Sequence, residues 1–209
     1  MCNGKLKGLV VVMGIWRVIV LAGVIGVSST LAGCANTPDK PTYAEITFRH
    51  LAPILLDVGE IRVENAYKSP LAAPNVEHEL PVKIDATIRR WASDRLRAVG
   101  KADAYAVLTI KEASVIEKPL KTVKGLSGFF TNDQSERYDF KISAELKIVT
   151  INGAKGLVTV EANRTKTVPE NITLNAREMM YFERTEVLLS DFNTQMEKNI
   201  QTYLSKFLK

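Results

Sequence analysis

The chain reads as an α+β protein. The expected architecture is a two-layer sandwich: a four-stranded, mainly antiparallel sheet with two helices on one face, in the order β-α-β-β-β-α. Three observations predict it. Residues 138–148, "YDFKISAELKI", alternate without a break: Tyr138, Phe140, Ile142, Ala144, Leu146 and Ile148 to one side, charged and polar residues to the other. A strand of this kind buries one face and wets the other, which suits an antiparallel sheet. Ile84, Ile88, Trp91, Ala92, Leu96 and Val99 share one helical face between Pro81 and Gly100. From Asn175 to Leu208 neither Gly nor Pro intervenes, and Leu189, Phe192, Met196, Ile200, Tyr203 and Phe207 recur at spacings of three and four. Two helical stripes laid on one apolar sheet face close a two-layer domain.

The first segment is not part of that domain. Residues 18–27, "VIVLAGVIGV", form a short apolar core, with Arg17 before it and small residues and a cysteine after it. Basic, apolar, then small is the layout of a secretory signal. Read from Met1, Arg17 splits the apolar stretch 9–27, and a central arginine opposes insertion by about 2.5–3.5 kcal/mol. Read from Met13 the conflict disappears. Residues 1–33 are therefore expected to be a signal peptide whose true start is Met13. Residues 35–45, "ANTPDKPTYAE", carry two prolines and no apolar periodicity. With Cys34 they make a flexible tether, 34–45, ahead of a single domain, 46–209.

Within the domain, Ile54, Leu56 and Val58 alternate, then Ile61 and Val63 alternate in the opposite phase. Gly59 stands at the switch, so 53–65 reads as one strand with a bulge. Residues 68–79 form a loop with Pro70 and Pro74, ahead of the first helix. In 104–117, Ala106, Leu108 and Ile110 alternate, with Val115 beyond a phase change. After the strand at 138–148, "INGAKG" (151–156) supplies turn chemistry, and Val158, Val160 and Ala162 return as the other half of a hairpin. Asn175, with Glu178 three residues on, fits the polar cap of the last helix. That helix would be about 50 Å long, so it either projects beyond the sheet or bends.

The link between the second and third strands, 118–137, is about twenty residues where a hairpin loop usually has two to five. Lys118, Lys121 and Lys124 interleave with Leu120, Val123 and Leu126, and Phe129 and Phe130 follow two glycines. It can be an extension of both strands into a long bent hairpin, with Leu126, Phe129 and Phe130 folded back to cap the sheet. Alternatively, Leu126, Phe129, Phe130, Lys121 and Lys124 form an apolar, basic tip that touches membrane, glycolipid or a partner protein.

A search for chemistry finds no catalytic constellation. His78 lies between Glu77 and Glu79, with no second His at ligand spacing, and His50 reads as a surface residue. "GLSGF" (125–129) has Phe129 where a nucleophile elbow needs Gly, and no phosphate-cradling glycine loop is present. The net charge of +5 is concentrated in residues 1–33, whose Lys5, Lys7 and Arg17 face no acid. The rest of the chain carries +2, with both signs interspersed. That balance gives no reason to expect nucleic-acid binding. The reading calls for no cofactor, no metal and no enzymatic activity. A hydrolase whose site assembles only in three dimensions is the alternative.

Leu31-Ala32-Gly33-Cys34 resembles the bacterial lipoprotein box: a Leu, two small residues and a Cys behind an apolar core. The resemblance implies a diacylglycerol thioether on the Cys34 sulfur, cleavage before Cys34 and a further acyl chain on the new amine. The membrane is then a partner through those chains. Each buried CH₂ contributes roughly 0.8 kcal/mol, and more than one chain makes a stable anchor. In such lipoproteins an Asp after the cysteine favours retention at the inner membrane. Ala35 holds that place, which implies the outer membrane and a domain facing the periplasm. With Cys2 removed and Cys34 acylated, no thiol remains for metal or redox chemistry.

The lipoprotein box, the short tether and the element order together resemble the small auxiliary lipoproteins of Gram-negative envelope transport, lipopolysaccharide assembly among them. The resemblance is one of architecture. It implies a non-enzymatic accessory or assembly factor in an envelope protein complex that moves lipid or glycolipid. The alternative is a binding module for lipid, glycolipid or peptidoglycan. Fold-level analogy carries no residue roles.

Overall fold

In the computed structural model, which describes residues 42–100, 102–120, 134–153 and 155–209, the alternating segment is the centre of the sheet. It belongs to β5 (Gln134–Thr150). β4 (Ala104–Pro119) and β6 (Lys155–Pro169) flank it, both antiparallel to it. β2 (Glu60–Asn65) lies parallel on the far edge of β4, giving the order β2-β4-β5-β6. Two short strands, β1 (Ile54–Leu56) and β3 (Leu96–Ala98), form a separate parallel pair. The helices are α1 (Ile84–Arg95) and α2 (Leu174–Tyr203), and a 3-10 turn, Ser205–Phe207, follows. The class is α+β, as the periodicities predict.

All six alternating apolar residues of β5 are buried. Register stacks them in rows: Leu108, Leu146 and Val158 in one, Ile110, Ala144 and Val160 in the next. The phase change seen before Val115 is a bulge. Lys111 drops out of register between Ile110 and Glu112, after which Ala113 and Val115 face the core.

The first strand departs from expectation. It is two strands in two sheets, and the reversal at Gly59 is a crossing rather than a bulge. Leu56 and Val58 are fully buried, with β1 held against β3, while Ile61 and Val63 lie beside Ala106 and Leu108 of β4 in the same sheet. Between the strands, the Gly59 N–H donates to the Ala104 carbonyl at 2.9 Å, and the Gly100 N–H donates to the Val58 carbonyl at 2.9 Å. Gly100 allows this crossing. A Cβ there would stand 2.4 Å from the carbonyl carbon of Asp57 and 2.4 Å from the nitrogen of Val58. Backbone must move to admit it, so Gly100→Ala is expected to cost about 3 kcal/mol, the upper end of overpacking penalties. Urea unfolding checks this; a loss below about 1 kcal/mol would show that the crossing yields readily.

α1 is shorter than its sequence frame because Leu96 leaves the helix to pair with Ile54. Leu96 is buried as expected, but Val99 is 43% exposed. α2 is capped two residues earlier than expected, at Thr173, whose hydroxyl accepts the Ala176 N–H at 3.2 Å. Its 30 residues span about 45 Å. The helix does not need to project, because β5 has 17 residues, or roughly 55 Å at strand rise. Leu189, Phe192, Met196 and Ile200 are buried on it, and Tyr203 is exposed. Met180, Tyr181 and Leu188, on an adjoining stripe of the same helix, are also buried. Tyr181 sets its ring edge against Tyr138 at 5.3 Å and Phe140 at 6.4 Å.

A polar node joins the helices. Asn193 Oδ1 accepts from Trp91 Nε1 at 2.8 Å and from Arg95 Nε at 3.2 Å. Arg95 is 1% exposed. Its guanidinium also donates to the Ala52 carbonyl and pairs with Glu197, whose side chain is 36% exposed. Asp94, on the same helix, accepts the Phe48 N–H at 2.9 Å and so fixes the segment entering the domain.

Candidate functional site

A concavity with a buried carboxylate beside it grows out of the loop 66–80. β2 covers the edge of β4 only as far as Ile110. Beyond the bulge the loop takes over: the Val76 N–H donates to the Val115 carbonyl at 2.8 Å, and the Glu117 N–H donates to the Pro74 carbonyl at 2.8 Å. This turns Glu77 inward until the residue is 7% exposed. Its Oε1 accepts the hydroxyls of Tyr67 and Ser69, both at 2.6 Å. Its Oε2 accepts from Asn75 Nδ2 at 3.3 Å and from the Val115 N–H at 3.2 Å. Burial favours the protonated acid, but the Ser69 and Tyr67 hydrogen bonds and the backbone donors outweigh it. The carboxyl is therefore held below its ordinary range. Burial, and then Glu77 itself, raises the Tyr67 phenol.

Beside this carboxylate lies a cavity of about 260 Å³, lined among others by Asn65, Tyr67, Ser69, His78, Lys83 and Asp85. Asn65 Nδ2 donates to Asp85 Oδ2 at 3.1 Å, and Asp85 also holds Arg89 at 2.9 Å. The Lys83 ammonium donates to the His78 carbonyl, and burial lowers its pKa. The His78 ring is partly exposed, 3.9 Å from Glu79. Every oxygen of Glu77 is spoken for, and His78 meets neither Glu77 nor Asp85 in a hydrogen bond. The arrangement can hold a small polar group by hydrogen bonds, and the one carboxylate that meets hydroxyls there, Glu77, is itself held by four donors.

Across β4 from this loop, at the same end of the sheet, Tyr138 donates to Glu136 at 2.6 Å and Arg177 donates to the same carboxylate at 3.0 Å. Burial, then the neighbouring Glu136, raises Glu117. The uncovered face of the sheet is polar. Lys118 and Arg137 each pair with Asp139 at 2.8 Å, and Lys141 pairs with Glu112 at 2.9 Å. Burial works against ionisation of Asp139, but the Arg137, Lys118 and Thr165 contacts bring its pKa down to about 2. Among the described strands β6 pairs only with β5, which leaves it at the edge of the sheet. There Asn199 Nδ2 caps the Thr159 carbonyl at 3.1 Å. Among the described residues no group of His, Cys, Asp and Glu side chains is placed to hold a metal. None of the described helices is long and apolar enough to cross a membrane.

Part of the long link is strand, with Lys118 opposite Arg137 and Pro119 opposite Glu136. Lys121, Lys124, Leu126, Phe129 and Phe130 lie outside the described residues, as does Cys34. Tyr43 and Glu45, read as tether, touch the domain: Tyr43 stacks on Phe182 with ring centroids 5.1 Å apart, and Glu45 pairs with Arg90 at 2.8 Å. Glu77 was missed because it sits in a loop beside the more conspicuous His78. The available signal was its place between Val76 and Leu80, both of which are buried.

No protein-family model matches the chain, and no curated protein does. Solved structures do resemble it. One is a minor lipoprotein from Acinetobacter baumannii, 13% identical over 75% of this chain and 96% of that one, with a TM-score of 0.39. Another is an uncharacterized lipoprotein B from Nitrosomonas europaea, 12% identical over 80% of this chain and 97% of that one, with a TM-score of 0.42. A third is the rare lipoprotein B from Shewanella oneidensis, 16% identical over 68% of this chain and 99% of that one, with a TM-score of 0.31. At these scores nothing about the work of those proteins is transferred to this chain.

Proposed function

We propose that the chain is a lipoprotein anchored through Cys34, facing the periplasm from the outer membrane. Its role is that of a non-enzymatic accessory or assembly factor in an envelope complex that moves lipid or glycolipid. The observation that carries this reading is Leu31-Ala32-Gly33-Cys34 placed directly behind an apolar core and directly ahead of the domain. The packing supports it. Side chains fill the space between helices and sheet, with Trp91, Phe140, Tyr181 and Phe192 all at most 2% exposed. Acyl anchoring restricts such a domain to a membrane surface and so raises its effective concentration toward partners there. The small polar cavity beside Glu77 favours a second reading, a binding module for a small polar headgroup.

Growth with an alkyne fatty acid is expected to label the protein in the membrane fraction. Cys34→Ser is expected to abolish the label and release the protein. Crosslinking in intact cells should then capture an envelope protein with the wild-type chain. A label that survives the substitution refutes the anchor, and recovery of a free monomer alone refutes the docking role.

A further inference from the structure

We propose that the arginine-bearing outer face of α1 docks on anionic phospholipid headgroups of the membrane that holds the anchor. The outward stripe of α1, Ala86, Arg89, Arg90 and Ser93, is continued by Arg97 of β3, whose guanidinium donates back to the Ser93 carbonyl, so guanidinium groups alternate with small side chains. Beside it stands Arg49, with its side chain 78% exposed. The acids near this stripe are committed. Asp94 is buried on the Phe48 N–H and Arg49, Asp85 holds Arg89, and Glu45 holds Arg90. Exposed ion pairs of this kind contribute only about 0–1 kcal/mol, so the guanidinium groups can turn to phosphate, for which their fork is suited.

The path of the chain brings this face to the bilayer. Residues 45–49 are laced across α1: Arg90 also donates to the Ile46 carbonyl at 3.4 Å, and Tyr43 packs on Phe182. Residues 35–43, nine in all, cover at most about 3.3–3.6 Å each. Tyr43 therefore lies within roughly 30 Å of the Cys34 sulfur. The arginines flank the point where that short lead reaches the domain, so they are the cationic groups that the anchor delivers to the headgroups. The lysines of the open sheet face, Lys147 and Lys155, are not tied to the lead in this way. Each Arg near an anionic surface contributes enough that three shift the docked-to-free ratio by on the order of 100-fold.

The inference rests on anchoring at Cys34, and its test bypasses the cell's lipidation. From Cys34 onward the chain holds one thiol, Cys34, and one tryptophan, Trp91 on α1. Among the described residues the buried core side chains lie between Phe48 and Leu204, with Ile46, Phe207 and Leu208 packed against them, all downstream of Cys34. The Cys34 thiol is coupled to a maleimide lipid in phosphatidylcholine vesicles, with or without phosphatidylglycerol. Energy transfer from Trp91 to a dansyl headgroup is then read. Transfer is expected to rise on the phosphatidylglycerol vesicles and to fall back in about 1 M salt, where the screening length is about 3 Å. Arg89→Gln with Arg97→Gln should abolish the rise at unchanged melting temperature, and Lys147→Gln with Lys155→Gln should leave it intact. Equal transfer on both vesicles, or equal loss in both double variants, would overturn the docking face. A failure of anchoring shows separately, as absent fatty-acid labelling in cells.

Discussion

Asn193→Ala is expected to lower the unfolding free energy by about 3 kcal/mol, more than loss of the carboxylate charge at Glu197 beside it. The amide oxygen of Asn193 is the shared acceptor for Trp91 Nε1 and Arg95 Nε, both inside the helix–helix contact. Its removal leaves two buried donors without that partner, one of them on a cation that is 1% exposed. A lost partner costs roughly 1–3 kcal/mol per buried group, and more when the group is charged. Glu197→Gln should cost less than about 1 kcal/mol, since that carboxylate is 36% exposed and water replaces much of what it supplies. Asn193→Asp keeps the acceptor and should recover most of the loss. Urea midpoints of the three variants settle the order. If Glu197→Gln proved as costly as Asn193→Ala, the ion pair rather than the amide would be joining α1 to α2.

That node also marks where periodicity stops being informative. The alternation of β5 survives intact because one strand at the centre of a sheet has one buried face, and spacing encodes only that. The same rule applied to α1 assigns Asp94 to the polar side and gives Arg95 no place. Yet both are buried, Asp94 on the Phe48 N–H and Arg95 on three separate acceptors. Arg95 does sit four residues after Trp91, on the apolar stripe. Its burial is thus half visible, but the acceptors come from residues about forty and a hundred positions away, and no local pattern contains them. The first strand fails for a related reason. A reversal of phase looks alike whether the strand bulges or leaves for another sheet, and what decides is the contact of Gly100 with Asp57 and Val58. The early start of α2 is a smaller case: Thr173 and Asn175 are both competent caps, and the turn after Pro169 selects the first.

The cavity beside Glu77 was the least legible feature, since it depends on a loop lying down on a strand edge. β4 is long and β2 is short, so the second half of that edge would otherwise expose unpaired backbone. The loop covers it, and the cavity is what remains between the loop and the start of α1. Cover and cavity therefore share one fastening, which is the buried carboxylate.

Glu77→Ala should accordingly cost about 3 kcal/mol, with hydrogen exchange accelerating at Val115 and Glu117 while the centre of β5 stays protected. Tyr67, Ser69 and Asn75 can turn to water, but the Val115 N–H faces inward and loses its second contact with the loop. The effect also has a pH signature of definite sign. The folded-state pKa of Glu77 is depressed, because the hydroxyl and backbone donors overcome burial. A depressed carboxyl adds stability that is fully present above its unfolded pKa and fades as pH falls through the folded one. The gap between wild type and Glu77→Ala should thus be widest near neutrality and narrow steadily below about pH 4. Glu77→Gln keeps the shape but sets an amide N–H₂ against donors, so it should lose much of the stability, and its gap to wild type should narrow at low pH as the Ala variant's does, because only the wild-type carboxyl titrates there. A gap that stays constant from about pH 7 to about pH 3 would mean that the carboxylate charge does not fasten the loop, and that the cavity is held open by packing alone.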